Sequence, residues 1–262
     1  MKIELKRTIR DNEFAGLRNC YLDGLPEPQE LFLEMKARAS EAYSMHINHN
    51  TAGYYLLENN KDITEFFLLP EHIPNTSEIF EMVLEDHTIK TIFCKSFDTL
   101  LLSLCLDKRF EHSIDGYLFR HTIAVSDTAE FPAIKVRPGR MEDIETILAV
   151  NDGFFVSLEE ITTIIRNNNL FYFHNNETFN GCGIFQKVIP GREAYDIGMF
   201  VSPVYRRKGI GTHIIRYLKE YCLSNGWRPI CGCDFRNIAS RKTLEKAGYI
   251  TCDRLIRFKV GS

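Results

Sequence analysis

The stretch Val201–Glu220, VSPVYRRKGIGTHIIRYLKE, sets Arg206, Arg207 and Lys208 directly before Gly209 and Gly211, and then begins a strongly patterned helix. Ahead of it, Tyr195, Ile197, Met199 and Val201 alternate with Asp196, Gly198 and Phe200, as a strand requires. Behind it, Ile210, Ile214, Ile215, Leu218 and Cys222 recur at the period of a helix, and Gly226 stands where that helix should stop. The basic turn therefore falls where a strand hands over to a helix. A helix N-terminus carries backbone N–H groups without intrahelical partners and a partial positive charge. Glycine lets the main chain approach a ligand closely. Together these features bind phosphate. The amides of Gly209, Ile210, Gly211 and Thr212 are expected to surround a diphosphate, with the three cations adding charge around it. No GxxxxGKS/T loop occurs, and GCGIFQ is not followed by a helix, so the common nucleotide loops do not apply.

Working outward, AIKVRPG reads as a short strand, and MEDIETILAVND and LEEITTIIRNN as helices. LFYFHNN and NGCGIFQKV read as a hairpin. RPICGCDF is a strand, Asn237 caps the helix IASRKTLEKA, Gly248 ends it, and YITCDRLIRFKV closes as one strand. The order from Ile134 onward is β-α-α-β-β-β-α-β-α-β, an α/β arrangement around a mixed (α+β) sheet. The first half echoes it. TAGYYLLENN and DITEFFLLP read as a strand pair, and a helix carrying Ile79, Phe80, Val83 and Leu84 follows Pro70. TIKTIFC is a strand, DTLLLSLCLDKRF a helix and SIDGYLFRHT a strand. Cys94–Phe110 lies over Cys233–Tyr249 without a gap, so a duplicated unit is expected. Residues 1 to 50, with a helix-like PQELFLEMKARASEAYSMHI, supply the opening elements. The polar, proline-punctuated SDTAEFPAIKVRPG marks a boundary, giving domains 1–130 and 131–262.

The segment Arg206–Gly211 fits the R/Q-x-x-G-x-G/A signature of the GNAT superfamily of N-acetyltransferases, and FVSPVYRRKGIGT resembles that family's strand-loop-helix. RNIASRKTLEKAGY resembles its N-x-A-x(6)-K-x-G-F/Y segment, with Asn237, Ala239, Lys246, Gly248 and Tyr249 matching. IKVRPGRMEDIETI resembles its opening strand and helix. The resemblance covers about 135 to 262 and implies the acyl-CoA N-acyltransferase fold, here as two tandem GNAT-like domains. It implies acetyl-CoA as the donor, with Arg206, Arg207, Lys208, Gly209, Ile210, Gly211 and Thr212 at the diphosphate. Met199, Phe200 and Val201 would lie along the pantetheine arm, as a strand is added to a sheet edge, and Asn237 would face the pantetheine or the thioester region. In the first half the matching stretch LPEHIPNTSEIF has no glycine and places Glu71 where cations are wanted, so that half reads as a degenerate copy without a second donor site.

The implied reaction moves an acetyl group from acetyl-CoA to a primary amine of a small molecule or peptide by direct attack. Such an amine has a pKa of about 10.4 and must lose a proton first. A carboxylate near the strand serves that need. Asp196, within the strand, is the preferred base and Glu193 the second candidate; each also fits a plain surface role. A main-chain N–H near Phe200 or Val201 would stabilise the thioester oxygen. The family's usual tyrosine before the E-K-x-G run is Leu244 here, which leaves a rival reading open: an acyl-CoA-binding sensor or interaction module without turnover. Tyr249 and Trp227 read as packing residues. Cys231 and Cys233 read as structural thiols, and the histidines of MHINHN as a solvated helix end rather than ligands.

Charge and composition narrow the partners. A net charge of -3 gives no footprint for nucleic acid. The longest apolar runs fall far short of the roughly 18 residues a membrane helix needs. No metal is expected. The start lacks an apolar leader, and eight scattered cysteines without a CxxC pair suit a reducing compartment, hence the cytoplasm. A monomer or homodimer is compatible with the duplication.

Overall fold

The computed structural model describes residues 2–125, 131 and 133–261. The polar boundary segment read from 126 to 130, and Pro132, lie outside them. The described chain divides into two compact units, Met1–Leu118 with Asp253–Ser262, and Phe119–Cys252.

In the first unit, β1 (Ile3–Thr8) is followed by α1 (Asn12–Gly24), α2 (Leu31–Ala39), β2 (Glu41–Ile47), β3 (Asn50–Glu58) and β4 (Asp62–Leu68). A short 3-10 turn (Pro70–Asn75) then leads to α3 (Thr76–Asp86), β5 (Thr91–Lys95), α4 (Thr99–Asp107) and β6 (Glu111–Phe119). In the second, β7 (His121–Thr122) and β8 (Lys135–Pro138) precede α5 (Ile144–Ala149) and α6 (Leu158–Arg166). Then come β9 (Leu170–Asn175), β10 (Thr178–Lys187), β11 (Ala194–Val201), α7 (Ile210–Ser224), β12 (Arg228–Asp234), α8 (Ile238–Lys246) and β13 (Tyr249–Ile250). The last strand, β14 (Asp253–Lys259), belongs to the first unit.

Two expectations are corrected. The closing strand is not continuous: Tyr249–Ile250 pairs with β7, whereas Asp253–Lys259 inserts between β5 and β6, with Ile256 opposite both Cys94 and Ile114. Pairing on both edges draws it into the first unit. Residues 28 to 47 are not one helix either. Ser40 ends α2, its backbone N–H and hydroxyl both returning to the Lys36 carbonyl. The next residues form β2, which takes in His46 and buries Ala42, Met45 and Ile47 between β1 and β3.

Strand order in the first unit is β1-β2-β3-β4-β5-β14-β6 and in the second β12-β11-β10-β9-β8. Helices cover both faces of each sheet. In the first unit, Ile79, Phe80 and Val83 of α3 and Leu101, Leu104 and Cys105 of α4 pack with Tyr55, Ile63, Phe66, Ile92 and Phe258. In the second, Ile144 and Ile147 of α5 and Ile161, Ile164 and Ile165 of α6 pack with Leu170, Tyr172, Cys182 and Phe200. The other face holds α7 and an aromatic cluster. Trp227 stacks on Tyr195 at 4.1 Å, and Tyr217 and Tyr221 meet Phe171 edge-on. No helix of the described residues is long and apolar enough to cross a membrane.

Candidate functional site

The site is built on a fork in the second sheet. β11 runs antiparallel to β10 from Tyr195 to Val201, but parallel to β12 only at Ala194, Tyr195 and Asp196. From Ile197 onward β11 has no β12 partner among the described residues. Two bonds fix which amides face which way. Val188 N–H donates to the Ala194 carbonyl and Ser202 N–H to the Asn180 carbonyl, each at 3.0 Å. The even-numbered residues thus turn their main-chain groups toward β10. By strand alternation, Ile197, Met199 and Val201 turn theirs toward the fork. Phe200 keeps its main chain on β10 and its ring in the core, so of the expected trio only Met199 and Val201 present amides to the fork.

The fork leads to the mouth of α7. Arg207 and Gly209 both have left-handed backbone, at φ 61° and 83°. Alternation of this kind curls successive amides into an anion-binding concavity. Gly209 is the N-cap and brings no side chain to the first turn, and the first α-helical bond runs from His213 N–H to its carbonyl. The N–H groups of Gly209, Ile210, Gly211 and Thr212 have no acceptor among the described residues. Gly211 sits against the fork. A β-carbon there would come within 2.9 Å of the Met199 sulfur and 3.2 Å of Thr243 Cγ2. Edge and mouth are therefore contiguous.

The cations before the helix are not equivalent. Arg206 donates from Nη2 to Asp152 Oδ2 at 2.6 Å and from Nε to the Val201 carbonyl at 3.1 Å, and its own N–H is bonded to the Pro203 carbonyl. Lys208 lies over the Tyr205 ring. Asn237 caps α8 by accepting from Ser240 N–H at 3.0 Å, as its sequence context required, and remains exposed at the end of β12.

Asp196 is the last β11 residue paired with β12 and so stands at the base of the fork, half-buried. Glu193 is exposed before the strand; its carbonyl accepts from Arg228 N–H. Leu244 is buried at 3 % exposure. Tyr249 is buried as well, and its hydroxyl has no hydrogen-bond partner among the described residues. Burial, reinforced by Cys231, Cys222 and the Asp196 carboxylate, holds that phenol well above its ordinary pKa. Burial likewise keeps Cys233 protonated, pushed up to about 11, and holds the Cys231 thiol well above its ordinary value. Neither thiol is a nucleophile near neutrality. No group of three or more His, Cys, Asp and Glu suited to a metal ion occurs among the described residues.

Sequence reasoning missed Asp152 and Phe154, in the loop between α5 and α6. Asn151 grips Phe155 twice, Nδ2 to its carbonyl and Oδ1 from its N–H, both at 2.9 Å. Phe154 packs on Phe200 at 5.5 Å between ring centres, and its Cζ lies 3.9 Å from where a β-carbon on Gly198 would be. No local pattern announces a partner for Arg206 that lies so far back in the chain.

A forked mixed sheet with an uncapped, glycine-lined helix at its end, as in the second unit, defines an acyl-CoA N-acyltransferase fold; the first unit repeats the forked sheet without the glycines. Comparison with known proteins agrees. An acetyltransferase (GNAT) domain profile matches residues 10–122, and an acetyltransferase (GNAT) family profile matches residues 141–249. The chain belongs to the GNAT acetyltransferase family and carries two GNAT domains. Among solved structures, a GNAT-family acetyltransferase from Colwellia psychrerythraea superposes with a TM-score of 0.85 at 18% identity, covering 99% of each chain. A tandem GNAT protein from the clavulanic acid biosynthesis pathway gives 0.61 at 12% identity, covering 100% of this chain and 99% of that one. A GCN5-related N-acetyltransferase from Sphaerobacter thermophilus gives 0.62 at 12% identity, covering 99% and 96%. At these identities the likeness is one of fold. No curated protein matches the sequence.

Proposed function

We propose that the second unit binds acetyl-CoA in its fork and transfers the acetyl group to a primary amine of a small molecule or peptide. One observation carries this reading. The edge amides at Ile197, Met199 and Val201 and the unpartnered amides of Gly209 to Thr212 belong to segments that meet where Met199 lies against Gly211. An exposed sheet edge is satisfied by an added extended chain, and an uncapped helix mouth by an anion. The pantetheine arm and the diphosphate of one coenzyme supply both. Arg207 and Lys208 would add charge at the diphosphate, and Asn237 flanks the other arm of the fork.

The chemistry assigned to the chain's own groups is modest. Asp196, at the base of the fork, takes the proton from the ammonium directly or through water; Glu193 is the more distant alternative. The free amine adds to the thioester carbonyl carbon, and an edge N–H at Met199 or Val201 receives the charge that develops on its oxygen. As the C–S bond breaks, the added nitrogen gives up its second proton to the departing thiolate or to water, and the neutral amide remains. The thiolate, whose conjugate thiol has a pKa of about 8.5, departs without a dedicated acid.

Leu244 favours a second reading, that of a protein which binds acyl-CoA without turning it over, because a buried leucine cannot protonate a leaving group. Titration with acetyl-CoA, followed by a thiol-release assay on a panel of amines, separates the two. Release above background on at least one amine supports transfer. Tight binding with no release on a broad panel supports the sensor.

A further inference from the structure

We propose that Arg206 is a strap, fixing the α5–α6 loop to the end of β11, and not a ligand of the diphosphate. This rests on the reading of the fork as the donor site. The expectation that all three cations gather around the anion meets three observations. The Arg206 N–H is consumed by the Pro203 carbonyl. Its Nε satisfies the carbonyl of Val201, which the alternation of β11 turns toward the fork. Its Nη2 reaches Asp152 at 2.6 Å, and the guanidinium lies 5.8 Å from the Phe200 ring centre. One planar, multi-donor group thus joins a strand end, a loop and an aromatic face, a geometry arginine serves and lysine does not. Arg207 and Lys208 remain as the cations at the mouth.

The loop so held is worth holding. It is stiffened from within by the Asn151–Phe155 pair of bonds and, at its far end, by Glu160 accepting from Val156 N–H at 2.7 Å. It carries Phe154 over Gly198, the second residue beyond the point where the fork opens. On this face of the sheet, an amine approaching the thioester passes that ring. Arg206 is therefore a positioning residue. It acts through the loop on the acceptor, while Gly209 to Thr212 serve the donor.

The test uses Arg206→Gln, Arg206→Lys and Asp152→Asn in the full chain, with the double variant Arg206→Gln/Asp152→Asn. The pair is about half-exposed, at 44% and 50%, which limits the effect. Exposed pairs contribute roughly 0.2–1 kcal/mol, or about a 1.4- to 5-fold change. Hydrogen exchange at the Phe155 and Val156 amides should quicken by that factor in either single Gln or Asn variant, and no further in the double. Arg206→Lys should recover only part of it. Acetyl-CoA affinity should stay within about threefold in all four, and the KM for any amine that turns over should rise more than kcat falls. A tenfold loss of acetyl-CoA affinity in Arg206→Gln, with loop exchange unchanged, would overturn the strap. So would an Asp152→Asn variant indistinguishable from wild type in exchange. If wild-type protein fails to bind acetyl-CoA, the functional reading falls, and the exchange comparison still decides whether the strap exists.

Discussion

Each unit contains a fork, and the two forks are finished differently. In the first, β4 and β5 pair only at Asp62–Thr91 and Ile63–Ile92, and then separate. Side chains bridge the gap. Gln29 donates to Glu65 on β4 at 2.9 Å and accepts from Lys95 on β5 at 3.0 Å. Glu65, fully buried, also receives two bonds from Arg18 and one from the Tyr54 hydroxyl. Lys95 reaches the Tyr21 hydroxyl at 2.6 Å, and that hydroxyl donates to Asp98. Burial, together with the charges of Asp98 and Glu65, pushes Tyr21 far above an ordinary phenol. In the second fork, no side-chain hydrogen bond joins Ile197–Val201 to Cys231–Asp234 among the described residues. Their helix mouths differ in the same sense. The 3-10 turn before α3 has no glycine, contains Pro70, Pro74 and Glu71, and takes up the Thr76 N–H at the Ile73 carbonyl. The mouth of α7 has left-handed glycine and unclaimed amides. One fold thus serves two ends: a fork stitched by its own polar residues is structural, and a fork that leaves its edge unstitched is suited to a ligand.

The stitch can be cut. Glu65→Ala leaves Arg18 with Glu34 alone and takes the buried acceptor from Gln29 and the Tyr54 hydroxyl, and removing one partner from a buried charge network costs about 3–5 kcal/mol. Urea unfolding of the variant should show a loss of that size, with acetyl-CoA binding by the remaining folded protein unchanged. A loss below about 1 kcal/mol would mean that the network is not what closes the first fork.

A smaller effect concerns the mouth of α7. His213 packs between Phe131 and Phe173, and burial, aided by Arg216, lowers its pKa from 6.5. Below pH 6.5 the unfolded chain takes up a proton there that the folded chain refuses, so stability falls as the pH drops toward the lowered folded value. Thermal melts of wild type and His213→Phe, compared between pH 7.5 and 5.5, should show a steeper acid loss in wild type. Equal slopes would place His213 in an environment no drier than water.

Much of this architecture is legible in the sequence because it is written locally. The period of α7, the stop at Gly226, the Asn237 cap and the alternation of β11 each lie within one short window, and each stands in the structure where the window put it. What was not legible depends on distant partners. β14 looks like the end of the second half, yet its neighbours are β5 and β6. β2 follows α2 with only Ser40 between them, so helical and strand patterns blur. Arg206 reads as a phosphate cation until Asp152 appears beside it. Phe200 sits within the expected donor trio, yet strand parity turns its amide to β10. The polar stitch of Glu65 on β4, Gln29 before α2 and Lys95 on β5 joins three separate stretches of chain, and no spacing predicts it.

The direct measurement is calorimetric titration of the full chain with acetyl-CoA, in wild type and in Gly211→Val. The valine drives a side chain into Met199 and Thr243, where edge and mouth meet. The account predicts one acetyl-CoA per chain in wild type and at least a tenfold weaker affinity in a cooperatively folded Gly211→Val. Two sites per chain, or undiminished binding in that variant, would contradict it.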